Sequence, residues 1–471
     1  MPTLSPPLAR PTLTGHRFAY LVGIGGTGMC GAASLLKARG IGVAGSDRAA
    51  STRTSRLAAE GIRVDLEDEA RPLPPATTLV VASAAVPASH PTLVEARRRA
   101  IPVWKYAECL GALMEERVGI CVAGCHGKTT TSSLVATTLW RTGRDPSFAI
   151  GGEVRDLSAS ARTGAGPHFV AEACEYDRSF HRLRPTFAIV TNVDVDHLDY
   201  YSGLEEIRRS FVDFARLLPE DGRLIVHEDH AAPFRAVPGL SAAIETYGSS
   251  PAADWRALDA AWDPASQATR FAIARDGRVV ARVALPLAGA HNVANGTAAL
   301  AACAAAGVPP EEAAAALSAF GGVKRRMEKV AEARGVLVVD DYGHHPAEIV
   351  SVVRALRTRH PGRRVVVAFQ PHQASRTRLL LDDFAAALAE ADEAWLAPIF
   401  HARDGEEERR SVTSEDLAAR VALRGGRATS LPGLEALVAF AAREARAGDV
   451  VVTMGAGDID EVARGLADRL R

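Results

Sequence analysis

The chain has 471 residues, a length that predicts about two to four domains at roughly 100–200 residues per domain. Hydrophobic residues make up 47% and charged residues 24%, close to ordinary globular usage, which excludes a wholly disordered chain and a coiled-coil rod. The 55 Lys and Arg residues and the 56 Asp and Glu residues give a net charge of -1, which argues against nucleic acid as a partner.

The cysteines and the apolar runs favour a reduced protein without a membrane anchor. The six cysteines are scattered without a C-x-x-C pair, which fits neither a disulfide framework nor a zinc knuckle, and we expect a cytoplasmic location. The sequence has no uncharged apolar stretch of the about 18 residues that a membrane-spanning helix needs. Residues 1–15 lack the apolar core of a signal peptide, so we expect a disordered leader there.

Predicted strands and helices alternate along the chain, which is typical of an α/β fold with parallel sheets. The first set, in residues 16–107, has strands at 18–22, 43–45 and 79–82 and a helix near 29–39. The second set, in residues 108–326, has strands at 118–123 and 187–192 and an alanine-rich helix at 292–306. The third set, in residues 327–471, has strands at 335–340, 364–369, 394–398 and 450–453. We therefore predict three α/β domains with these boundaries.

A glycine-rich loop follows the first predicted strand and precedes the first helix. Residues 23–28 read Gly-Ile-Gly-Gly-Thr-Gly, which fits G-x-G-x-x-G, and Asp47 ends the second strand at the expected interval. Glycines let the backbone approach a diphosphate, whose charge is met by the amide groups and the dipole at the helix start. The pattern predicts a diphosphate site and does not specify a nicotinamide. An ordinary turn without a ligand is the alternative.

A second glycine-containing loop, residues 124–131, reads Gly-Cys-His-Gly-Lys-Thr-Thr-Thr and lies between the strand at 118–123 and a helix. In such a loop the amide groups bind phosphate oxygens, Lys128 neutralises the β- and γ-phosphates, and the Thr129 hydroxyl faces Mg²⁺. Val122 stands where the full G-x-x-x-x-G-K-[ST] pattern has its first glycine. We predict a nucleotide phosphate site here, with an ordinary turn as the alternative.

Acidic segments follow two further strands of the second set. Residues 172–177 read Glu-Ala-Cys-Glu-Tyr-Asp, and residues 194–197 read Asp-Val-Asp-His. Carboxylate oxygens suit Mg²⁺, which proteins usually share with substrate phosphates. Taken alone, each segment is more typical of a helix cap or a surface turn. Their place at the carboxyl ends of strands in the same domain as the phosphate loop favours the metal site.

Three more groups of polar residues lie in the later parts of the chain. Asn292 and Asn295 share roughly one helical face, and residues 324–326 form the basic cluster Lys-Arg-Arg. Residues 340–346 read Asp-Asp-Tyr-Gly-His-His-Pro at the end of a predicted strand, which indicates a binding loop. Neighbouring histidines in a loop rarely both face one ion, so we expect them to hydrogen-bond to a substrate.

The order of these motifs resembles that of the Mur ligases, ATP-dependent amide-forming enzymes of peptidoglycan precursor synthesis. The motifs are GIGGTGMCG, GCHGKTTT, EACEYD, TNVDVDH, HNVAN, KRRME and DDYGHHP, and the resemblance covers residues 18–457. It implies a three-domain architecture. A Rossmann-like UDP-binding domain is followed by a central domain like a P-loop ATPase and by a Rossmann-like carboxyl-terminal domain.

The resemblance also implies roles for individual residues. The UDP-sugar is expected at Gly23, Gly25, Gly26, Thr27, Gly28, Met29, Ser46 and Asp47. ATP is expected at Gly124, Cys125, His126, Gly127, Lys128, Thr129, Thr130, Asn292, Asn295, Arg326 and Asp341. The expected catalytic residues are Lys128, Glu172 and His197, the metal ligands are Thr129, Glu172 and His197, and the amino-acid site is Tyr342, His344 and His345.

The reaction implied by the resemblance joins L-alanine to the lactyl carboxylate of UDP-N-acetylmuramate, with ATP and Mg²⁺. An amine does not attack a carboxylate, so γ-phosphoryl transfer would first form an acyl phosphate. The alternative within the family is a recycling ligase that attaches a murein tripeptide to the same sugar. Outside it, a nicotinamide-dependent dehydrogenase explains only the first loop, and a P-loop switch that binds a partner protein explains only the second.

One position departs from the usual family pattern. The loop of the family reads Gly-Thr-His-Gly-Lys-Thr, whereas Cys125 replaces its first threonine in this chain. Loop amides and nearby cations lower the pKa of a thiol, so we expect Cys125 to be reactive and bound ATP to protect it. A tolerated substitution without special reactivity is the alternative.

Overall fold

The computed structural model describes residues 11–66, 72–197, 200–402 and 404–471. In these residues the strands form three sheets, and helices lie between consecutive strands through most of the chain. This confirms the predicted α/β class. No helix in the same residues is both long enough and apolar enough to span a membrane.

The first sheet has the strand order β3-β2-β1-β4-β5, and all its pairs are parallel. Its elements are β1 (Phe18–Val22), α1 (Thr27–Ala38), β2 (Gly42–Asp47), α2 (Thr52–Ala59), β3 (Arg63–Leu66), β4 (Leu79–Ala82), α3 (Pro91–Arg98), β5 (Val103–Lys105) and α4 (Tyr106–Leu113). The strand order reverses between β1 and β4, and the first glycine loop begins where β1 ends. That switch point is where open parallel sheets bind ligands.

The second sheet has the strand order β15-β14-β13-β12-β11-β10-β6-β9-β7-β8. Its strands are β6 (Val118–Ala123), β7 (Ser147–Val154), β8 (Ala159–Arg162), β9 (His168–Glu172), β10 (Phe187–Val190), β11 (Arg223–His227), β12 (Ala243–Gly248), β13 (Trp255–Asp263), β14 (Ala268–Arg275) and β15 (Arg278–Leu285). Its helices are α5 (Lys128–Arg141), α6 (Leu204–Ala215), α7 (Ala232–Arg235), α8 (Ala290–Ala305) and α9 (Pro310–Ser318), with 3-10 helices at Arg155–Leu157, Tyr176–Arg182 and Glu228–His230.

The third sheet has the order β16-β17-β21-β18-β19-β20, in which only the β16–β17 pair is antiparallel among the described strands. Its strands are β16 (Glu328–Ala333), β17 (Val336–Asp341), β18 (Val365–Phe369), β19 (Glu393–Leu396), β20 (Ala428–Ser430) and β21 (Val450–Met454). Its helices are α10 (Pro346–Arg359), α11 (Ala374–Leu379), α12 (Leu381–Leu388), α13 (Glu406–Arg409), α14 (Ser414–Leu423), α15 (Leu434–Glu444) and α16 (Asp460–Leu470).

The contacts within the chain define two compact units. The first comprises residues 1–258, 273–282 and 295–320, and the second comprises residues 259–272, 283–294 and 321–471. The three predicted domains correspond to the three sheets, while their exact boundaries stay predictions. Of the predicted leader, residues 1–10 lie outside the described residues. Residue Pro11 accepts a hydrogen bond from Arg184 (2.6 Å), and Thr12 donates one to Glu115 (2.8 Å).

Burial patterns in the first unit explain why these segments take their structure. The strand β1 reads FAYLV and is buried over its last four residues, as expected for the centre of a parallel sheet. The helix α6 buries Ile207, Phe211 and Phe214, whose spacing places them on one face. Glycine permits the close approach of α4 to the segment after β9, since a Cβ at Gly111 would lie 2.1 Å from the Arg182 carbonyl oxygen.

We expect Gly111→Ala to destabilise the protein by about 3 kcal/mol, because the added methyl group overlaps backbone that cannot rotate away. The midpoint of urea unfolding measures this effect. Gly433→Ala is the matched control, since no atom of the described residues lies within 4 Å of a Cβ there and its φ of 178° suits any residue. Equal midpoints for the two variants would contradict the packing of α4 described above.

Candidate active site

Parallel pairing brings the polar segments of the second sheet to one edge. The strand β6 lies between β10 and β9 and is parallel to both. The phosphate loop follows β6, the acidic segment 172–177 begins at the end of β9, and the segment 191–197 follows β10. Because parallel strands end at the same edge of a sheet, these three segments lie side by side.

The segment after β10 holds the phosphate loop in shape. The Thr191 hydroxyl donates to the His126 carbonyl (2.6 Å), and the Asn192 side chain accepts from the His126 amide (2.9 Å) and donates to its carbonyl (3.0 Å). A Cβ at Gly124 would lie 1.9 Å from the Thr191 hydroxyl, and the φ of +139° also favours glycine. The helix α5 then begins after Gly127 without a side-chain cap, which suits a phosphate oxygen as partner of its first amides.

The environment of Cys125 contradicts the expected reactivity of its thiol. The side chain is buried, and its sulfur accepts from the Asp194 amide (3.2 Å) and donates to the Asp194 carbonyl (3.3 Å). Burial raises the pKa of this thiol well above its usual value, and the charge of Glu175 raises it further. The prediction of a lowered pKa is therefore wrong. The sulfur instead links the phosphate loop to the segment after β10.

Lys128 forms a buried ion pair with Glu175. Its ammonium group lies 2.9 and 3.1 Å from the two carboxylate oxygens and also donates to the carbonyls of Gly124 (2.5 Å) and Cys125 (3.1 Å). Burial is the largest influence and acts to lower the pKa of Lys128, but the negative charges around it, Glu175 first among them, together outweigh burial and raise that pKa. Burial likewise acts to raise the pKa of Glu175, which Lys128 and His197 nevertheless hold below its usual value. Both groups are therefore charged.

Thr129 and Glu172 form a second pair of oxygen ligands beside the loop. The Thr129 hydroxyl donates to Glu172 Oε2 (2.9 Å), and that oxygen also accepts from the Gly151 amide (2.8 Å). Thr129 is buried, and its neighbour Thr130 is half-buried in the first turn of α5. A hydroxyl and a carboxylate at this separation are the kind of ligands that a hard cation takes.

His197 belongs to a separate cluster with Glu175 and Asp196. One ligand atom from each residue lies within 4.8 Å of the others, and His197 Nε2 is 3.3 Å from Glu175 Oε1. His197 has a φ of 54°, a strained conformation that is frequent at functional sites. The predicted metal set therefore falls into two groups in the structure, Thr129 with Glu172, and His197 with Glu175 and Asp196.

Two asparagines of α8 fall in different units. Asn295 belongs to the first unit, and its side-chain oxygen would lie 2.9 Å from a Cβ at Gly127, so it sits directly against the phosphate loop. Asn292 belongs to the second unit, where its amide group donates to the Ala288 carbonyl (2.8 Å). The predicted contact of Asn292 with ATP stays a prediction.

The first glycine loop is held by residues at the end of β2. The amides of Gly23 and Ile24 donate to the Ser46 carbonyl (2.8 and 3.0 Å), and the Gly25 amide donates to the Asp47 carboxylate (2.7 Å). Gly23 has a φ of 76°. Asp47 therefore shapes the loop from within, in addition to any role in ligand binding.

The start of α1 is suited to an anion. Its cap is Gly26, which provides no side-chain hydrogen bond, and the first turn, which includes Thr27, Gly28 and Met29, has no acidic residue. Unmatched amides at a helix start and the dipole of α1 favour a phosphate group. The diphosphate site at this loop stays a prediction, which the open helix start supports.

In the second unit, Asp341 anchors the loop after β17. Its carboxylate accepts from the amides of Gly343 (2.7 Å) and Met327 (2.8 Å). Burial raises the pKa of Asp341 to about 6, and the positive charge of Arg326 opposes this increase. Arg326 lies over the Tyr342 ring, with its guanidinium carbon 5.3 Å from the ring centroid.

The loop after β17 meets the loop after β18 at one edge of the third sheet. The rings of Tyr342 and His344 are 5.8 Å apart, and those of His344 and His372 are also 5.8 Å apart. His345 caps α10 by accepting from the Ala347 amide (3.4 Å). Tyr342 and His344 therefore line this edge, whereas His345 has a structural contact at the helix start.

Several residues of the site were not assigned by the sequence analysis. Glu175 and Asp196 lie within motifs that it recognised, but the pattern does not indicate which carboxylate faces Lys128 or His197. Thr191 and Asn192 fall at the end of the strand predicted at 187–192, whereas β10 ends at Val190 and leaves both residues free to support the phosphate loop. No sequence signal indicates the contact between Asp194 and the Cys125 sulfur.

Three family models match the chain in sequence order. Residues 19–118 match the model described as Mur ligase family, catalytic domain. Residues 122–303 match the Mur ligase middle domain, and residues 325–457 match the model described as Mur ligase, glutamate ligase domain.

Curated relatives are similar over nearly the whole chain. The UDP-N-acetylmuramate--L-alanine ligase of Anaeromyxobacter sp. (strain Fw109-5) is 42% identical over 440 residues, which cover 93% of this chain and 95% of the relative. The enzyme of the same name from Kineococcus radiotolerans is 43% identical over 450 residues, which cover 94% of each chain.

Solved structures also resemble the chain over most of its length. The UDP-N-acetylmuramate-alanine ligase MurC from Thermotoga maritima has a TM-score of 0.81 at 25% identity and covers 96% of this chain and 99% of its own. A murein peptide ligase from Psychrobacter arcticus 273-4 has a TM-score of 0.73 at 26% identity, with coverage of 96% and 98%.

We expect thiol reagents to modify Cys174 in the native protein and to spare Cys125. Cys174 is the exposed one of the six free cysteines, and the other five are buried. Desolvation by the surrounding protein raises the pKa of the Cys174 thiol to about 12, so labelling is slow at pH 7 and faster in alkali. Peptide mass mapping after alkylation identifies the modified residue.

The matched variants are Cys174→Ser and Cys125→Thr. Labelling of the native protein disappears in the first variant and persists in the second. Alkylation of the peptide that contains Cys125 under native conditions would contradict the burial of that thiol.

Proposed function

The chain belongs to the Mur ligase family, and on that premise we propose that it joins L-alanine to the lactyl carboxylate of UDP-N-acetylmuramate, with conversion of ATP to ADP and phosphate. The observation that carries this proposal is the near full-length similarity, above 40% identity, to ligases named for this reaction. The product is an amide, UDP-N-acetylmuramoyl-L-alanine, which places the enzyme in peptidoglycan precursor synthesis.

The phosphate loop supplies the activation step of this reaction. A carboxylate is electron-rich and has no good leaving group, so an amine attacks it only after phosphorylation to an acyl phosphate. Phosphoryl transfer depends on positioning and on charge neutralisation. The loop amides and Lys128 provide both, and Asn295 lies beside the same loop. A γ-phosphate would compete with Glu175 for the Lys128 ammonium group. The reaction needs no protein nucleophile, because the sugar carboxylate itself attacks the phosphorus.

The oxygen ligands beside the loop fit Mg²⁺. Thr129 and Glu172 present a hydroxyl and a carboxylate oxygen at 2.9 Å, and Glu175, Asp196 and His197 present a second group. We assign the Mg²⁺ that accompanies ATP to Thr129 and Glu172, with His197 at the second group. When bound, the ion neutralises phosphate charge. The protein's part is to hold Glu172 in place through the Gly151 amide.

The other substrates are assigned to the two remaining sheets. We place the diphosphate of the sugar nucleotide at the glycine loop and the start of α1, where backbone amides face it. We place the amino acid at the edge of the third sheet, near Tyr342 and His344. In this proposal the reaction takes place in the cytoplasm, where ATP is available and the six free cysteines stay reduced.

Lys128→Ala is expected to lower kcat by about a thousandfold or more, because it removes a preorganised positive charge from the transferring phosphoryl group. The KM for the UDP-sugar should stay within about twofold, since that ligand is assigned to the first sheet. Lys329→Ala, which removes an exposed lysine paired with Glu332, is the control and keeps full activity. A Lys128→Ala variant with a tenth of the original turnover would contradict the assigned role.

Phosphate release in the presence of Mg²⁺, ATP and UDP-N-acetylmuramate tests the proposed function. Release should require L-alanine and should be about tenfold or more slower with glycine, since a methyl contact contributes about 1–3 kcal/mol to discrimination. Serine should also react more slowly than alanine. Faster turnover with murein tripeptide than with alanine at equal concentration would identify the recycling activity instead.

A further inference from the structure

Tyr106 lies directly against the start of the helix that follows the glycine loop. It is the first residue of α4, and its ring is so close to α1 that a Cβ at Gly28 would lie 2.8 Å from Cζ and 3.1 Å from Cε1 and Cε2. Cζ is the ring carbon that carries the hydroxyl. The hydroxyl end of Tyr106 is therefore the part that reaches the first turn of α1.

The Tyr106 hydroxyl has no hydrogen-bond partner among the described residues, although the side chain is mostly buried. The three buried tyrosines among the described residues of the first unit use their hydroxyls. Tyr201 donates to the Glu175 carbonyl (2.6 Å), Tyr20 to the Asp65 carboxylate (3.4 Å) and Tyr247 to the Thr191 carbonyl (3.4 Å). The Tyr106 hydroxyl oxygen is not enclosed by protein, so it is accessible to a ligand. A ligand at the start of α1 would supply the missing partner.

Tyr106 lies between the first glycine loop and the acidic segment that borders the phosphate loop. Its neighbour Lys105 forms an ion pair with Asp177, which belongs to the acidic segment after β9. Burial raises the pKa of Tyr106, and the charges of Cys109, Glu172 and Cys174 raise it further. The phenol is therefore neutral at working pH and is able to donate a hydrogen bond to an anion.

We propose that the Tyr106 hydroxyl donates a hydrogen bond to the diphosphate of the sugar nucleotide at the start of α1. This inference rests on the proposed function, and it adds a binding residue that neither the glycine loop nor the family motifs include. The requirement for glycine at position 28 follows from the same contact, because any side chain there would displace the phenol ring. Gly28 and Tyr106 together then form one wall of the diphosphate site.

Tyr106→Phe tests the proposal because it removes the hydroxyl and keeps the ring. A hydrogen bond to a charged group is worth about 1.5–3 kcal/mol, so the Kd for UDP-N-acetylmuramate should rise about tenfold or more. Calorimetric titration without ATP measures that Kd. The KM for the sugar should rise in parallel, while kcat and the KM values for ATP and alanine stay within about threefold.

Tyr247→Phe is the matched control, because it removes a buried hydroxyl from β12 of the second sheet, whose partners are the carbonyls of Val190 (3.5 Å) and Thr191 (3.4 Å). It should leave the Kd for the sugar nucleotide unchanged. If the wild-type protein binds the sugar nucleotide and Tyr106→Phe binds it with the same Kd, this inference is overturned and the proposed function is not. A wild type that does not bind the sugar nucleotide would overturn the proposed function with it.

A double-mutant cycle tests the ring contact independently. Gly28→Ala should weaken sugar-nucleotide binding strongly when Tyr106 is present, because the new methyl group collides with the ring. In the Tyr106→Ala background the same change should have little further effect, since the collision is gone. Additive effects of the two substitutions would show that the ring does not form the wall of the site and would overturn the proposal.

Discussion

The parallel pairing of β6 with β9 on one side and β10 on the other is the constraint on which the proposed chemistry depends. It places three loop segments at one edge of the sheet, so that Glu172 and Glu175 reach the phosphate loop from one strand and Thr191 to His197 reach it from the other. None of these residues is close to the loop in sequence. Thr191 and Asn192 hold the loop by hydrogen bonds to the His126 backbone.

The buried ion pair of Lys128 and Glu175 places one positive and one negative charge at this edge of the sheet. Taking two charges out of water costs several kcal/mol per ion, and close pairing with further hydrogen bonds offsets that penalty. The two carbonyl groups that Lys128 also contacts provide such bonds. A nucleotide phosphate that replaces Glu175 as partner of Lys128 would therefore exchange one buried anion for another, and the lysine would keep a neutralised environment throughout.

The sequence predicts most of what is local in this structure. The strand β1, the glycine loop and α1 follow from an apolar run, a glycine pattern and an alanine-rich helix, and the phosphate loop follows in the same way. The strands β3 and β5 escaped prediction because they are short and only Asp65 of β3 is buried in either of them. The antiparallel strand β16 escaped because all its residues are half-buried or exposed and it has no apolar run.

What the sequence does not predict is the direction of individual side chains. The motif that contains Glu172 and Glu175 marks an acidic segment, but only the fold decides that one faces Thr129 and the other Lys128. The prediction for Cys125 failed for the same reason, since the reactivity of a thiol depends on burial that arises from the segment after β10. Tyr106 carries no motif at all, and only the contact with Gly28 draws attention to it.

The central claim is that the sugar carboxylate is activated by phosphoryl transfer before the amide forms. The most direct measurement uses UDP-N-acetylmuramate labelled with ¹⁸O in both oxygens of the lactyl carboxylate, with unlabelled ATP and L-alanine, and mass analysis of the released phosphate. An acyl phosphate intermediate transfers one labelled oxygen to each phosphate, and the amide product keeps the other. Release of phosphate without label, at the same rate as amide formation, would contradict the account.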